Sequence, residues 1–237
     1  MKDRVFLFDI DGTLTPAREK MVPEFEEWFY DFVQKHDVYL ISGSDRNKTL
    51  EQISQKVYDA CLGVYQCNGS EHWCKNRRIK SSNWEPSYEL KHYLETVVSH
   101  SKYPVKTGRH IEKRTGMVNF STIGRGATPK QRKEYYEWDK KINQRVGIAT
   151  QITRKFKGIN ATIGGEISID IYPAGADKSR VAIELKNHYK EILFYGDKLD
   201  FGGNDFSIAT YINLAEVGKA TQVTDWQHTW NLLKEFT

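Results

Sequence analysis

With 237 residues, 39% of them hydrophobic and 13% aromatic, the chain has enough apolar material for one large domain or for two small ones sharing a core. It holds no run of about 18 apolar residues, so no membrane span is expected, and Asp9 and Asp11 interrupt its only early apolar run, so no signal peptide is expected. The net charge of +4 is uneven: residues 106–133 carry eight Lys or Arg against one acid, Glu112, which suits a phosphate-bearing ligand, an anionic surface or nucleic acid.

The first predicted element is a buried strand over residues 5–8, Val5-Phe6-Leu7-Phe8, which runs straight into Asp9 and Asp11 of "DIDGTLTPAR". Alternate strand residues point the same way, so both acids are expected on one side of the strand tip. Acids so placed repel unless a cation or a proton holds them; a plain surface turn would leave them solvated. Residues 22–35 carry Val22, Phe25, Phe29, Phe32 and Val33 at helical spacing, with Pro23 suited to a helix start. A second buried strand is predicted over 38–41, ending in Ser42-Gly43-Ser44-Asp45. A helix over 47–56 and a third strand over 64–67, closed by an Asn-Gly turn, follow. This alternation of strand and helix predicts an open parallel sheet.

The texture then changes. Residues 76–86 are polar and read as a linker, and 87–99 as a helix. "HIEKRTGMVNFSTI" alternates around a Thr-Gly turn and predicts a hairpin. Thr128 and Pro129 fit the N-cap and first position of a helix over 128–145. "INATIGGEISIDIYP" predicts a second hairpin with Gly164-Gly165 at its tip. A helix over 177–189, a strand over 192–195, short strands over 212–214 and 220–223, and a last helix over 225–236 complete the chain. The expected class is α/β. A parallel-sheet core, residues 1–80 and 176–237, is interrupted by an inserted α+β cap, residues 81–175.

Cys61, Cys67 and Cys74 form no Cys-x-x-Cys, which argues for reduced thiols in a cytosolic protein. The seven histidines show no paired metal spacing. In an open α/β sheet, ligands bind outside the carboxyl ends of the strands. Four predicted strand tips are polar there: Asp9 with Asp11, Ser42 with Ser44, Asn68, and Asp197. Lys178 opens a helix beside them. One cation can be shared by Asp9 and Asp197, and carboxylate donors without Cys or His point to magnesium.

"DIDGTLT", "LISGSD", "ADK" and "YGDKLDFGGND" stand in the order of the four motifs of the haloacid dehalogenase superfamily, which the chain resembles. "DGTLTPAR", "RTGMVNFSTIGRG", "GGEISIDIYPAGADK" and "GDKLDFGGND" further resemble the eukaryotic phosphomannomutase family, nearly end to end. That resemblance implies a haloacid-dehalogenase-like Rossmannoid core with an inserted cap. It implies Asp9 as a nucleophile that becomes an aspartyl-phosphate and Asp11 as general acid and base. Lys178 would neutralise the phosphoaspartate. Magnesium would be held by Asp9, by Asp11 through its carbonyl and by Asp197, with Asn204 and Asp205 in support. Ser44 would hold the transferring phosphate. Arg18, Arg114, Arg125, Arg132, Ser168 and Asp170 would bind substrate, the cap arginines forking onto the phosphate that is not reacting.

The implied activity is interconversion of mannose 6-phosphate and mannose 1-phosphate for GDP-mannose supply, primed by a hexose 1,6-bisphosphate. The implied assembly is a cytoplasmic homodimer formed through the cap, with no nucleic-acid or membrane partner. The alternative is a magnesium-dependent sugar-phosphate phosphatase of the same superfamily, which shares Asp9 and Asp11 and differs in using water as acceptor. A nucleic-acid-binding module on the basic insert would leave the strand-tip acids unexplained. The chain departs from the family at Tyr211, where an acid for an auxiliary cation is usual. It also has "KRTGM" for "FRNGM" and Ser42-Gly43-Ser44 for Gly-Gly-Ser.

Overall fold

The computed structural model describes residues 1–236. In chain order the elements are β1 (Lys2–Asp9), α1 (Pro23–Lys35), β2 (Val38–Ile41), α2 (Arg46–Gln52), α3 (Gln55–Ala60), β3 (Gly63–Gln66), β4 (Glu71–Cys74) and β5 (Arg77–Ser81). Next come α4 (Tyr88–His100), β6 (Ile111–Arg114), β7 (Met117–Phe120), α5 (Pro129–Ile142), α6 (Gln144–Lys155), β8 (Ile159–Gly164) and β9 (Ser168–Pro173). The chain closes with α7 (Ser179–Leu185), β10 (Tyr189–Gly196), α8 (Phe206–Leu214), β11 (Gly218–Gln222), α9 (Trp226–Leu233) and a 3-10 turn, Lys234–Phe236. Contacts divide it into two units. One is Met1–Ser82 with the residues from Gly175 onward; the other is Asn83–Ala174.

The first unit is a seven-stranded sheet in the order β11-β10-β1-β2-β3-β4-β5. The first five strands of that order are parallel, and β4 and β5 add an antiparallel hairpin. β1 lies inside the sheet, between β10 and β2, and is covered on both faces, so its sequence shows no polar alternation. Phe6 and Phe8 pack against Phe25, Phe29 and Phe32 of α1 and Val57 and Tyr58 of α3. Val5 and Leu7 pack in a separate cluster with Val181, Ala182 and Leu185 of α7 and Ile208 and Ile212 of α8. Burial of this kind is worth roughly 1.5–3 kcal/mol for each such side chain.

The second unit is a four-stranded antiparallel sheet in the order β6-β7-β9-β8. Period-two alternation gives it two unlike faces. Val118, Phe120, Ile169 and Ile171 turn toward Leu90 and Leu94 of α4 and Ile148 and Ile152 of α6. Glu112, Asn119, Asp170 and Thr162 stand in register across the other face. α5 starts with a capping box between Thr128 and Gln131.

The expected α/β core with an antiparallel insert is formed, with local corrections. Part of the segment read as a linker is β5, paired with β4. Its residues are mostly exposed, so no buried face writes an alternation, and Arg77, Arg78 and Lys80 are the charges that blunt an open sheet edge. The helix read over 47–56 is two helices, because the Ser54 side chain accepts from Val57 N and caps a second one. The helix read over 128–145 stops at Ile142, where Asn143 takes a left-handed φ of 56°, and the unanticipated α6 follows. The helix read over 177–189 ends at Leu185. Residues 212–214, read as a strand, finish α8 instead, since three residues are too few to carry a period. Among the described residues, no helix is long and apolar enough to cross a membrane.

Candidate active site

Asp9 is the last residue of β1 and shares the parity of Val5 and Leu7, so it faces the layer built by α7 and α8. Both helices begin where it points. Lys178 is the N-cap residue of α7 and Asp205 that of α8. The Lys178 ammonium donates to Asp9 Oδ1 at 2.5 Å and to Asp205 Oδ1 at 2.6 Å, and Lys178 is only 1% exposed. Asp197 follows the end of β10 directly. Asp9, Asp197 and Asp205 each bring a carboxylate oxygen within 4.8 Å of the others. Two glycines permit this approach. Gly12 has φ 85°, and a Cβ there would stand 2.7 Å from Asp197 Oδ2. A Cβ on Gly196 would stand 2.6 Å from Asp205 Oδ2.

Burial, reinforced by the Asp205 charge, pushes the Asp9 carboxyl up to about 7, although Lys178 pulls the other way. Burial and the Asp9 charge also raise Asp197. For Lys178, burial disfavours the ammonium, but Asp205 and Asp9 outweigh it and the group stays charged well above its ordinary range. Asp197 Oδ2 pairs with the Lys198 ammonium, while Asp197 Oδ1 is buried with no hydrogen-bond partner among the described residues. An orphaned carboxylate oxygen beside two further acids fits a hard divalent cation, since the donors are all oxygen.

Asp11 goes elsewhere. Its Oδ1 accepts from Arg18 N at 2.5 Å and from Gln52 Nε2 at 3.0 Å, and Gln52 Nε2 also reaches Thr15 Oγ1 at 3.3 Å. Behind burial and Asp205, the Asp11 charge still adds to the rise of the Asp9 carboxyl. β1 ends at Asp9, and once the chain turns through Gly12 the strand period no longer applies. The Asp11 carboxylate is outside the three-acid cluster. Arg18 meets Asp11 through its backbone, at φ 63°.

Ser44 sits in a stitched pair of loops. Its N–H donates to Ser42 Oγ at 3.0 Å and its carbonyl accepts from Cys67 N at 3.0 Å. Arg180 ties the second of these loops to α7, donating to the Asn68 carbonyl at 3.0 Å and to Ser70 Oγ at 2.5 Å. Tyr211, on α8, buries its hydroxyl without a hydrogen-bond partner among the described residues and brings no acid.

The remaining predicted residues gather within the second unit, on the polar face of its sheet. Glu112 Oε2 accepts from Arg114 at 3.0 Å and pairs with Arg125 Nε at 3.2 Å. Arg125 Nη1 also donates to Ser168 Oγ at 3.2 Å. Asp170 Oδ1 accepts from Asn119 Nδ2 at 2.6 Å, and Arg132 Nε lies 3.5 Å from Glu166 Oε2. Burial raises Asp170, against the pull of Arg114. Burial lowers Arg125. Sequence reasoning missed Gln52, Glu112 and Glu166 as members of these sites.

A family model described as eukaryotic phosphomannomutase matches residues 25–236. A probable phosphomannomutase of Caenorhabditis elegans is 32% identical, with 98% of this chain and 96% of that protein covered. The phosphomannomutase of Saccharomyces cerevisiae is 33% identical, with 94% and 91% covered. That of Drosophila melanogaster is 35% identical, with 86% and 85% covered. Among solved structures, a haloacid dehalogenase-like hydrolase from Bacteroides thetaiotaomicron superposes with a TM-score of 0.62 at 13% identity, with all of both chains covered. The C-terminal domain of a C. albicans trehalose-6-phosphate phosphatase superposes with a TM-score of 0.62 at 17% identity, with 90% and 74% covered. At such identities the structural likeness speaks for the fold alone.

Proposed function

The chain belongs to the eukaryotic phosphomannomutase family, an enzyme family of the phosphomutase class, and we propose that it interconverts mannose 6-phosphate and mannose 1-phosphate through a phosphorylated Asp9. A hexose 1,6-bisphosphate primes it, and the product feeds GDP-mannose supply. Lys178 engages Asp9 Oδ1, which leaves Oδ2 to attack phosphorus. The new bond is Oδ2–P; the bond that breaks joins phosphorus to the sugar oxygen. Asp11 gives its proton to that leaving oxygen and later takes one from the incoming hydroxyl, and Oδ2 is its working atom because Oδ1 is occupied by Arg18 N and Gln52. Ser44 helps to hold the transferring group. A magnesium ion held by Asp9, Asp197 and the Asp11 carbonyl, with Asp205 nearby, would offset the crowding of acids and supply positive charge to the transferring phosphoryl group.

The observation that carries this reading over a phosphatase is the second cationic cluster. Arg114, Arg125 and Arg132 sit in a unit that holds neither Asp9 nor Asp11. A mutase has two phosphates to hold in turn, and guanidinium forks suit the one that is not reacting. Ser168 and Asp170 on the same face suit sugar hydroxyls, as does Arg18 beside Asp11. Arg125→Ala and Arg132→Ala are each expected to lower mutase turnover at limiting substrate by about 30- to 150-fold, the loss of a charge-assisted contact worth on the order of 2 to 3 kcal/mol. Hydrolysis of a small phosphate ester with no second phosphate should be nearly unchanged. Equal losses in both assays would make the arginines general phosphate binders and favour the phosphatase.

The cap sheet ends in two open edges, β6 and β8, and such edges invite pairing. A homodimer formed through the cap is expected, and a monomer in sedimentation at micromolar concentration would count against it. Among the described residues Cys61, Cys67 and Cys74 form no disulfide, which suits the cytoplasm.

A further inference from the structure

The arginine cluster of the second unit already holds anions of its own. Three carboxylates stand among its three guanidinium groups: Glu112 and Glu166 pair with them directly, and Asp170 feels the charges of Arg114 and Arg125. Glu112 is shared by Arg114 and Arg125 at 3.0 and 3.2 Å. Asp170 takes the Asn119 amide at 2.6 Å and is pressed against Gly164, where a Cβ would stand 2.8 Å from its Oδ2. Glu166 meets Arg132 at 3.5 Å, and its side chain is 45% exposed. It stands at the tip between β8 and β9. The tip backbone is itself fixed, since Arg145 Nη1 donates to the Gly165 carbonyl at 2.8 Å and Arg145 is anchored on buried Asp139 at 2.7 Å. The Glu166 side chain is more exposed than that of Glu112, 45% against 33%.

A phosphate entering this cluster adds about two negative charges to a set that is already balanced. Attraction then requires one carboxylate to withdraw, and the long, half-exposed contact is the least costly to break. We infer that Glu166 is a displaceable counter-ion which occupies Arg132 until a phosphate-bearing ligand takes its place, and so sets the affinity of the cap for that ligand. Glu112 stays and spaces the other two arginines. This rests on the reading of the arginines as a phosphate site and adds a competitor internal to it. The effect on the enzyme is a weaker grip on its sugar phosphates, which favours release and reorientation over tight retention.

The test is calorimetric titration of the whole chain, without magnesium or bisphosphate so that no turnover occurs, using mannose 6-phosphate and inorganic phosphate as probes. Glu166→Gln keeps the size and removes the charge. It should tighten binding about two- to fivefold, the range expected for release of a half-exposed ion pair. Glu166→Asp, which reaches less far, should tighten it by less. Glu95→Gln, on the exposed side of α4, removes one charge remote from the cluster and should change nothing. An unchanged or weaker affinity in Glu166→Gln overturns the inference, and so does an equal gain in Glu95→Gln, which would reduce the effect to net charge. Arg132→Ala separates the two levels of the argument. It should weaken binding at least about tenfold. If it does and Glu166→Gln has no effect, only the counter-ion role fails; if it does not, the phosphate site itself is misplaced.

Discussion

Asp9→Asn should lower mutase turnover by on the order of 10⁴-fold or more and leave no label on the protein from a radioactive hexose 1,6-bisphosphate. The amide keeps the size of the side chain and an oxygen for Lys178 to donate to, while the attacking carboxylate is gone. Lys178 keeps Asp205 as its second partner at 2.6 Å, so the fold should survive. The pH dependence gives this a sign. Asp9 ordinarily titrates at 3.8 and is raised to about 7 in the folded chain. The folded state therefore binds its proton more tightly than the unfolded state does. That contribution to stability is complete below pH 3.8 and is lost as pH rises through 7. Asparagine carries no such loss, so without divalent cations at pH 7.5 or above the variant should melt no lower than the parent. A labelled Asp9→Asn protein, or turnover within tenfold of the parent, would remove Asp9 as nucleophile.

Lys178→Met should be the most destabilising single change in the core unit. The ammonium is 1% exposed and bridges Asp9 and Asp205. Its removal leaves Asp9, Asp197 and Asp205 crowded, with the Lys198 ammonium alone, among the described residues, paired to the group. Breaking a buried charge pair from one side costs about 3 to 5 kcal/mol, which for a chain of this size is a fall of roughly 6 to 20 °C in melting temperature. Two further readings make the cause specific. Magnesium should recover part of the loss, because a divalent cation answers the same crowding. The double variant Asp9→Asn with Lys178→Met should melt higher than Lys178→Met alone, since one of the stranded charges is gone. A melting temperature within a degree or two of the parent in EDTA would mean that the cluster is held by something other than this lysine.

What the sequence makes legible follows from burial. β1 and β2 are covered on both faces or nearly so, and their apolar runs announce them. The two hairpins of the insert are legible for the opposite reason, since one face is apolar and the other polar, and the alternation shows it. β5 left no trace because neither of its faces is deeply buried; its arginines and lysine read as linker. The site divides the same way. Asp9, Lys178 and Asp197 stand in motifs with unusual local chemistry. Gln52 is a glutamine at a helix end, and nothing in its neighbourhood signals the 3.0 Å bond to Asp11 that only the tertiary fold creates. Asp205 was legible as a supporting group, but not as the second holder of Lys178, because that contact joins residues 27 positions apart. Glu112 and Glu166 look like ordinary strand and turn acids until the arginines are seen around them.

The core sheet is written in two instalments, and a ribosome delivers them far apart in time. Synthesis is vectorial, so β1 emerges with β2 and β3 available on one side and nothing to pair with on the other. Its ladder with β10 joins residues such as Arg4 and Glu191, 187 positions apart. The whole of Asn83–Ala174 is contiguous and leaves the exit tunnel in between. The insert thus receives all of its own strands before the older half of the core receives its partners. β1 waits with an open hydrogen-bonding edge, a hazard for any nascent chain. Asp9 is made before the insert, whereas Lys178, Asp197 and Asp205 all arrive after it, so the acid cluster is completed only once the whole insert has been made.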